Sequence, residues 1–156
     1  MKINKTIKAI YLLIIGIAIG ASLYAGAVVA PVTFHSEKWL GSELLSRFQE
    51  GLIMTQNFVG LGYIILFTMI TIFIYEGYKY KSFNRDLITT LASLGAIMSG
   101  ALFKFFYMDS IINMQKQGES VVNSKIFENM HKGSEIALVL FMIFLITIFI
   151  RNVQRD

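Results

Sequence analysis

The chain has 156 residues, 55% of them hydrophobic, with a mean hydropathy of +0.62, no Cys and a formal net charge of +4. A composition this apolar excludes a water-soluble domain, and four membrane crossings leave no room for a separate domain outside them. The missing Cys excludes disulfides, thiolate metal sites and cysteine nucleophiles, and positive charge scattered over short connections is unlike the basic stripe that binds nucleic acid.

Four apolar stretches set the architecture. Ala9 to Phe34, Gly51 to Tyr75, Leu87 to Phe103 and Ile136 to Ile150 carry no charge, and a helix needs about 20 residues to cross a hydrocarbon core of about 30 Å. The expected fold is all-α: an integral membrane four-helix bundle, a single transmembrane domain over 1–156 with spans at about 9–34, 53–75, 87–108 and 133–150. The first span is read as retained, because its apolar run is about twice the 7–15 residues of a secretory h-region.

Charge sets the expected orientation. The N-terminal flank, the middle connection and the tail hold Lys2, Lys5, Lys8, Lys79, Lys81, Arg85, Arg151 and Arg155 against Glu76, Asp86 and Asp156. The two longer connections lean acidic, with six bases against seven acids. The positive-inside rule then puts both termini in the cytoplasm, and the composition fits a bacterial inner membrane.

In the first outer connection, Trp39, Leu40, Leu44, Leu45, Phe48 and Leu52 recur at helical spacing, which predicts a short amphipathic helix at the interface. In the second, the helical pattern runs on from Phe103 through Met108 and Ile112. Gly118 is the expected stop, with a new helix from Ile126 feeding the last span. Gly20-Ala21 and Gly95-Ala96, and the word Ile-Thr-Ile-Phe-Ile at 70–74 and 146–150, recur about half a chain apart. Such spacing fits a parallel repeat of two hairpins, although chance recurrence of apolar words explains it equally well.

Small residues crowd the first span (Gly16, Gly20, Ala21, Ala25, Gly26, Ala27) and the third (Ala92, Ser93, Gly95, Ala96, Ser99, Gly100, Ala101). Small faces let helix backbones approach, so spans one and three are expected at the centre of the bundle. Gly16 and Gly20 would equally serve a homodimer, the one protein partner the sequence suggests besides the lipid bilayer itself.

Ionisable groups at the outer ends of the spans form the candidate polar patch: Arg47, Lys104, Asp109, His131 and Glu135. Such groups are costly in lipid and mark function when they occur there. Lys104 follows an uncharged run of about 26 Å, which suggests either a pair with Glu135 or snorkelling to the interface. His131 and Glu135, four apart, share a helix face suited to a proton relay or to two metal ligands. His35, Met54, Met108, Met114 and Met130 lie toward the same surface and would add soft copper ligands. Methionine also packs cores, and neither metal nor cofactor is expected. Ser134 falls on the His131 face without an elbow or an oxyanion arrangement, so no catalytic residue is assigned and no enzyme activity is expected.

Gly26-Ala-Val-Val-Ala30-Pro31-Val-Thr-Phe34 at the outer end of the first span, with Phe127-Glu-Asn-Met-His131-Lys-Gly-Ser134 before the last, resembles the TMEM205-like (DUF4149) family of small four-span membrane proteins. The motif positions that carry over are Gly26, Ala30, Pro31, Phe34, Phe127, His131 and Ser134. Lys132 before Gly133, and Ala137 where a polar residue is common, depart from that pattern. The resemblance implies an integral membrane protein without established biochemistry, with one eukaryotic relative linked to platinum-drug resistance. Three functions are in view: action through a polar patch at the outer face, a transporter or permeation subunit, and a haem- or copper-linked redox protein using His35 and His131.

Overall fold

The computed structural model describes residues 4–81 and 86–154, and every regular element in them is helical. Lys2, Arg85, Arg155 and Asp156, which enter the charge argument, lie outside the described residues. Four long helices, α1 (Lys5–Phe34), α3 (Arg47–Lys81), α4 (Leu87–Lys116) and α6 (Lys125–Gln154), are each long and apolar enough to cross a membrane. Two single turns, α2 (Glu37–Leu40) and α5 (Glu119–Val122), join them at one end, the expected outer end of the charge argument.

The core follows a seven-residue rhythm. Tyr11, Ile15, Ala18, Ser22 and Ala25 of α1 are buried; in α6 the series is Ser134, Leu138, Phe141, Leu145, Ile148 and Asn152. Alternating steps of four and three keep one seam facing inward along helices that wrap gently around one another. The opposite faces carry exposed Leu13, Ile17, Phe67, Phe73, Leu91 and Ile143, the surface expected when lipid is the solvent.

The helices form a ring in which α1 neighbours α3 and α6, and α4 neighbours the same two. Spans one and three are therefore at opposite corners and do not form a shared centre. The small residues of α4 are used in packing: a Cβ on Gly95 would meet the Phe144 ring at 2.6 Å, and one on Gly100 would meet Met69 Sδ at 2.8 Å. The glycines of α1 are not, since a Cβ at Gly16, Gly20 or Gly26 would meet nothing within 4 Å, and Ala25 is the small residue of that group that joins the core. The heptad seam of α1 runs through Tyr11, Ile15 and Ala18, which leaves Gly16 and Gly20 off the packed seam, and the first span is the least buried of the four.

Both halves share one order of elements: a 30-residue helix containing a π-helical stretch, a single turn, and a second long helix. The π stretches are Ala25–Val29 and Leu102–Tyr107. In α1 the cause is local. Pro31 has no N–H and its ring crowds the carbonyl four residues back, and the preceding turn widens so that Ala30 N–H donates to Ala25 O, five back.

The outer amphipathic helix is shorter than its sequence pattern. Gly41, at φ +76°, ends it after Leu40, and Phe48 and Leu52 belong to the start of α3. Gly118, at φ +102°, stops α4 as expected.

At the opposite end, which carries Lys5 and Gln154, the helices are tied together. Tyr11 stacks on Tyr75 with centroids 3.8 Å apart, and its hydroxyl donates to Glu76 Oε1 at 3.1 Å. Lys79 Nζ lies 3.1 Å from Glu76 Oε2 and donates to Asn152 Oδ1 at 2.9 Å. Asp86 caps α4 by accepting from Thr89, and Arg151 donates to it at 3.0 and 3.1 Å. The Arg151 guanidinium, with Thr89, holds the Asp86 carboxyl well below the usual carboxylate range.

Candidate functional site

The half of the bundle toward α2 and α5 is open where the half toward Lys5 and Gln154 is tied. Gly26, Ala27 and Ala30 bring no bulk to the α1 face opposite α6, so a gap of about 430 Å³ runs between the two helices, walled on the α6 side by Leu138, Val139 and Met142. Cavities of this size, apolar with a few converging polar groups, are typical small-molecule sites. A second space of about 290 Å³, lined by Met54, Thr55, Met108 and Gln115, adjoins it toward the outer end. The two share Phe34, Phe58, Phe103, His131 and Ser134 as a common wall.

Six of the seven motif positions meet here. Gly26, Ala30, Phe34, His131 and Ser134 line the first space; Phe127 lines the second, together with Phe34, His131 and Ser134. Pro31 is exposed on the far side of α1 and acts through the backbone, by widening the turn that carries Gly26. Residues about a hundred positions apart thus converge on one cavity.

His131 Nε2 lies 3.3 Å from Glu135 Oε1, and the Phe127 ring stacks parallel to the imidazole at 6.4 Å. Ser134 Oγ donates to the His131 carbonyl at 2.7 Å, and the residue lines both spaces. Deeper in, Ser22 is fully buried and lines the same space. It lies twelve helical steps before Phe34, about 18 Å along the axis from that end of α1. Among the described residues, Ser22 Oγ is the one buried side-chain nitrogen or oxygen without a hydrogen-bond partner.

The expected polar patch is divided by the fold. Arg47, His131 and Glu135 border the cavities, and Arg47 also donates to Phe34 O and pairs with Glu50. Lys104 turns away: its chain lies against Gly62 and its ammonium sits 4.7 Å from the Tyr63 ring centroid, so no Lys104–Glu135 pair forms. Asp109 is exposed and lines neither space. The helical rotation of α4 separates the two, because the residues of α4 that face the cavities are Phe103, Met108, Ile111 and Gln115.

His35 pairs with Glu37 at 3.5 Å and lines neither space, so it does not join His131. Among the described residues, no three of His, Cys, Asp or Glu gather where they could hold a metal ion. Met54 and Met108 reach the second space; Met114 and Met130 do not.

Sequence reasoning passed over Ser22 and Glu50. Glu50 is only 3% exposed and accepts from the Ser36 hydroxyl at 2.7 Å and the Ser36 N–H at 3.2 Å, which ties the outer connection to the start of α3. A Ser at a heptad position in an apolar span, and an acid one turn after Arg47, were the available signals.

The family model for a domain of unknown function, DUF4149, matches residues 13–120, a stretch that holds Gly26 to Phe34 and ends before Phe127. No curated protein and no solved structure matches the chain. With four membrane-spanning helices and a family match over more than half its length, the chain belongs to the DUF4149 family of membrane proteins.

Proposed function

We propose that the protein is a membrane-embedded binding protein for an amphipathic, lipid-like molecule, taken from the outer leaflet into the gap between α1 and α6, without chemistry on the ligand. The observation that carries this is the convergence of Gly26, Ala30, Phe34, His131 and Ser134 on one cavity. An apolar chain would lie against Leu138, Val139 and Met142, and a polar end against His131, Ser134 and Glu135. In this reading both termini are cytoplasmic, the membrane is a bacterial inner membrane, and the cavity faces outward. Lys5, Lys8, Lys79, Lys81 and Arg151 at one end of the bundle support that orientation.

The transporter reading has less support, since the cluster of Tyr11, Glu76, Lys79 and Asn152 fills the inner end of the bundle. The redox reading needs His35 beside His131, where it does not lie.

Photolabelling in proteoliposomes tests the proposal. A diazirine placed on a long-chain alcohol should give adducts concentrated on the peptides carrying 22–34 and 131–142, and Gly26→Leu should suppress them. Adducts spread evenly over the lipid-facing Ile and Phe residues of α3 would refute it.

A further inference from the structure

The deep end of the cavity has a character of its own. Its ionisable groups, His131 and Glu135, are at the outer mouth; around Ser22 the wall is built from Leu23, Gly26, Phe58, Phe103, Leu138 and Met142. A charge carried to that depth would lose its hydration and find no counter-charge. A neutral polar group would find one donor waiting.

The state of Ser22 is unusual for a hydroxyl in a spanning helix. Thr68, Ser93 and Ser99 are also buried, and each donates to the carbonyl four residues back, at 2.8, 2.7 and 2.7 Å. That back-bond is the ordinary way a helix in lipid satisfies Ser or Thr. Ser22 makes no such bond and has no other partner, although it is 0% exposed. A buried hydroxyl without a partner is costly, and a retained one implies a partner outside the chain. Phe58 and Phe103, edge to face with centroids 6.0 Å apart, offer flat apolar surface beside it.

From this geometry we infer that the ligand is an uncharged, carbonyl-bearing molecule on an apolar chain, its carbonyl accepting the Ser22 hydrogen bond at the bottom of the cavity. The inference rests on the cavity reading above and adds to it the neutrality and the acceptor group. Two sources share that chemistry: a ring carbonyl of an isoprenoid quinone, and an ester carbonyl of a diacylglycerol.

The experiment measures binding of three probes to the full chain in nanodiscs by native mass spectrometry: a long-chain quinone, a diacylglycerol, and an isoprenoid hydrocarbon with no carbonyl. Ser22→Ala should weaken a carbonyl probe by about two- to tenfold, the worth of one neutral hydrogen bond, and leave the hydrocarbon unchanged. Whichever carbonyl probe responds identifies the source. The ligand-free Ser22→Ala protein should melt no lower than wild type, since it loses an unsatisfied hydroxyl and no contact. A lower melting point would give Ser22 a structural role and overturn the inference. Unchanged binding of both carbonyl probes would overturn it too, while leaving the cavity in place. Failure of Gly26→Leu to weaken any probe, or no binding by any of the three, would remove the cavity reading and this inference together.

Discussion

Arg151 in the last turn of α6 holds Asp86 at the start of α4 through two N–H groups, at 3.1 Å from Nε and 3.0 Å from Nη2, across 65 positions of sequence. The same carboxylate caps α4 through Thr89, so one side chain both starts a helix and fixes the helix next to it. Asp86→Asn keeps the cap and loses the ion pair. It should cost about 1–3 kcal/mol, read as a lower melting temperature in detergent.

The pH dependence of that tie has a defined sign. The folded carboxyl of Asp86 titrates below its unfolded value of about 3.9. Its contribution is therefore complete above the unfolded value and lost as pH falls through the folded one. Melting temperature should decline below about pH 4 in the wild type, with a shallower decline in Asp86→Asn. Equal slopes would show that other carboxylates govern acid unfolding.

Substituting glycine should separate the two helices that carry small residues. Gly95→Ala pushes a methyl against the Phe144 ring and should destabilise by about 1–3 kcal/mol. Gly16→Ala meets open space and removes a helix-weakening residue, so it should be neutral or stabilising by up to about 1 kcal/mol. Thermal melts of the pair decide the matter, and the reverse order would place α1 in a tight interface.

Tyr11→Phe removes the hydroxyl that meets Glu76 and preserves the stack on Tyr75. A loss of about 0.5–1.5 kcal/mol is expected. In a double-mutant cycle with Glu76→Gln the two effects should fall short of additivity, because they share one bond. Strict additivity would mean that the hydroxyl and the carboxylate act independently.

The absence of native Cys makes orientation easy to check. Ser42→Cys, in the exposed turn after Gly41, should react with an impermeant maleimide added outside intact cells. Gly77→Cys, near the inner end of α3, should react only after lysis. The opposite pattern would invert the assignment of the termini.

The spans were legible because lipid demands long uncharged runs, and the seven-residue rhythm of their buried faces can be read directly from α6. Which small face was used could not be read. Gly16 and Gly95 have the same local chemistry, and only the rotation of each helix in the ring decides that one meets lipid and the other Phe144. The motif residues Gly26 to Phe34 and Phe127 to Ser134 did mark the cavity, since they lie at matching depth on neighbouring helices. Lys104 and Asp109 share that depth but sit on other faces of α4. Ser22 escaped notice because its missing partner is a property of three dimensions.

The 35 residues of α3 make a rod of about 52 Å, against a hydrocarbon layer of about 30 Å. Its surplus, ending in Tyr78, Lys79, Tyr80 and Lys81, projects into the headgroups and beyond. Aromatic and basic side chains are at home across that whole zone. The slack belongs to α3 alone, because the uncharged runs of α4 and α6, Leu87 to Phe103 and Ile136 to Ile150, are only about 26 and about 22 Å long and hold Lys104 and Glu135 at the edge of the oil. The two short spans, and not the long one, set the depth at which the bundle rides in the membrane.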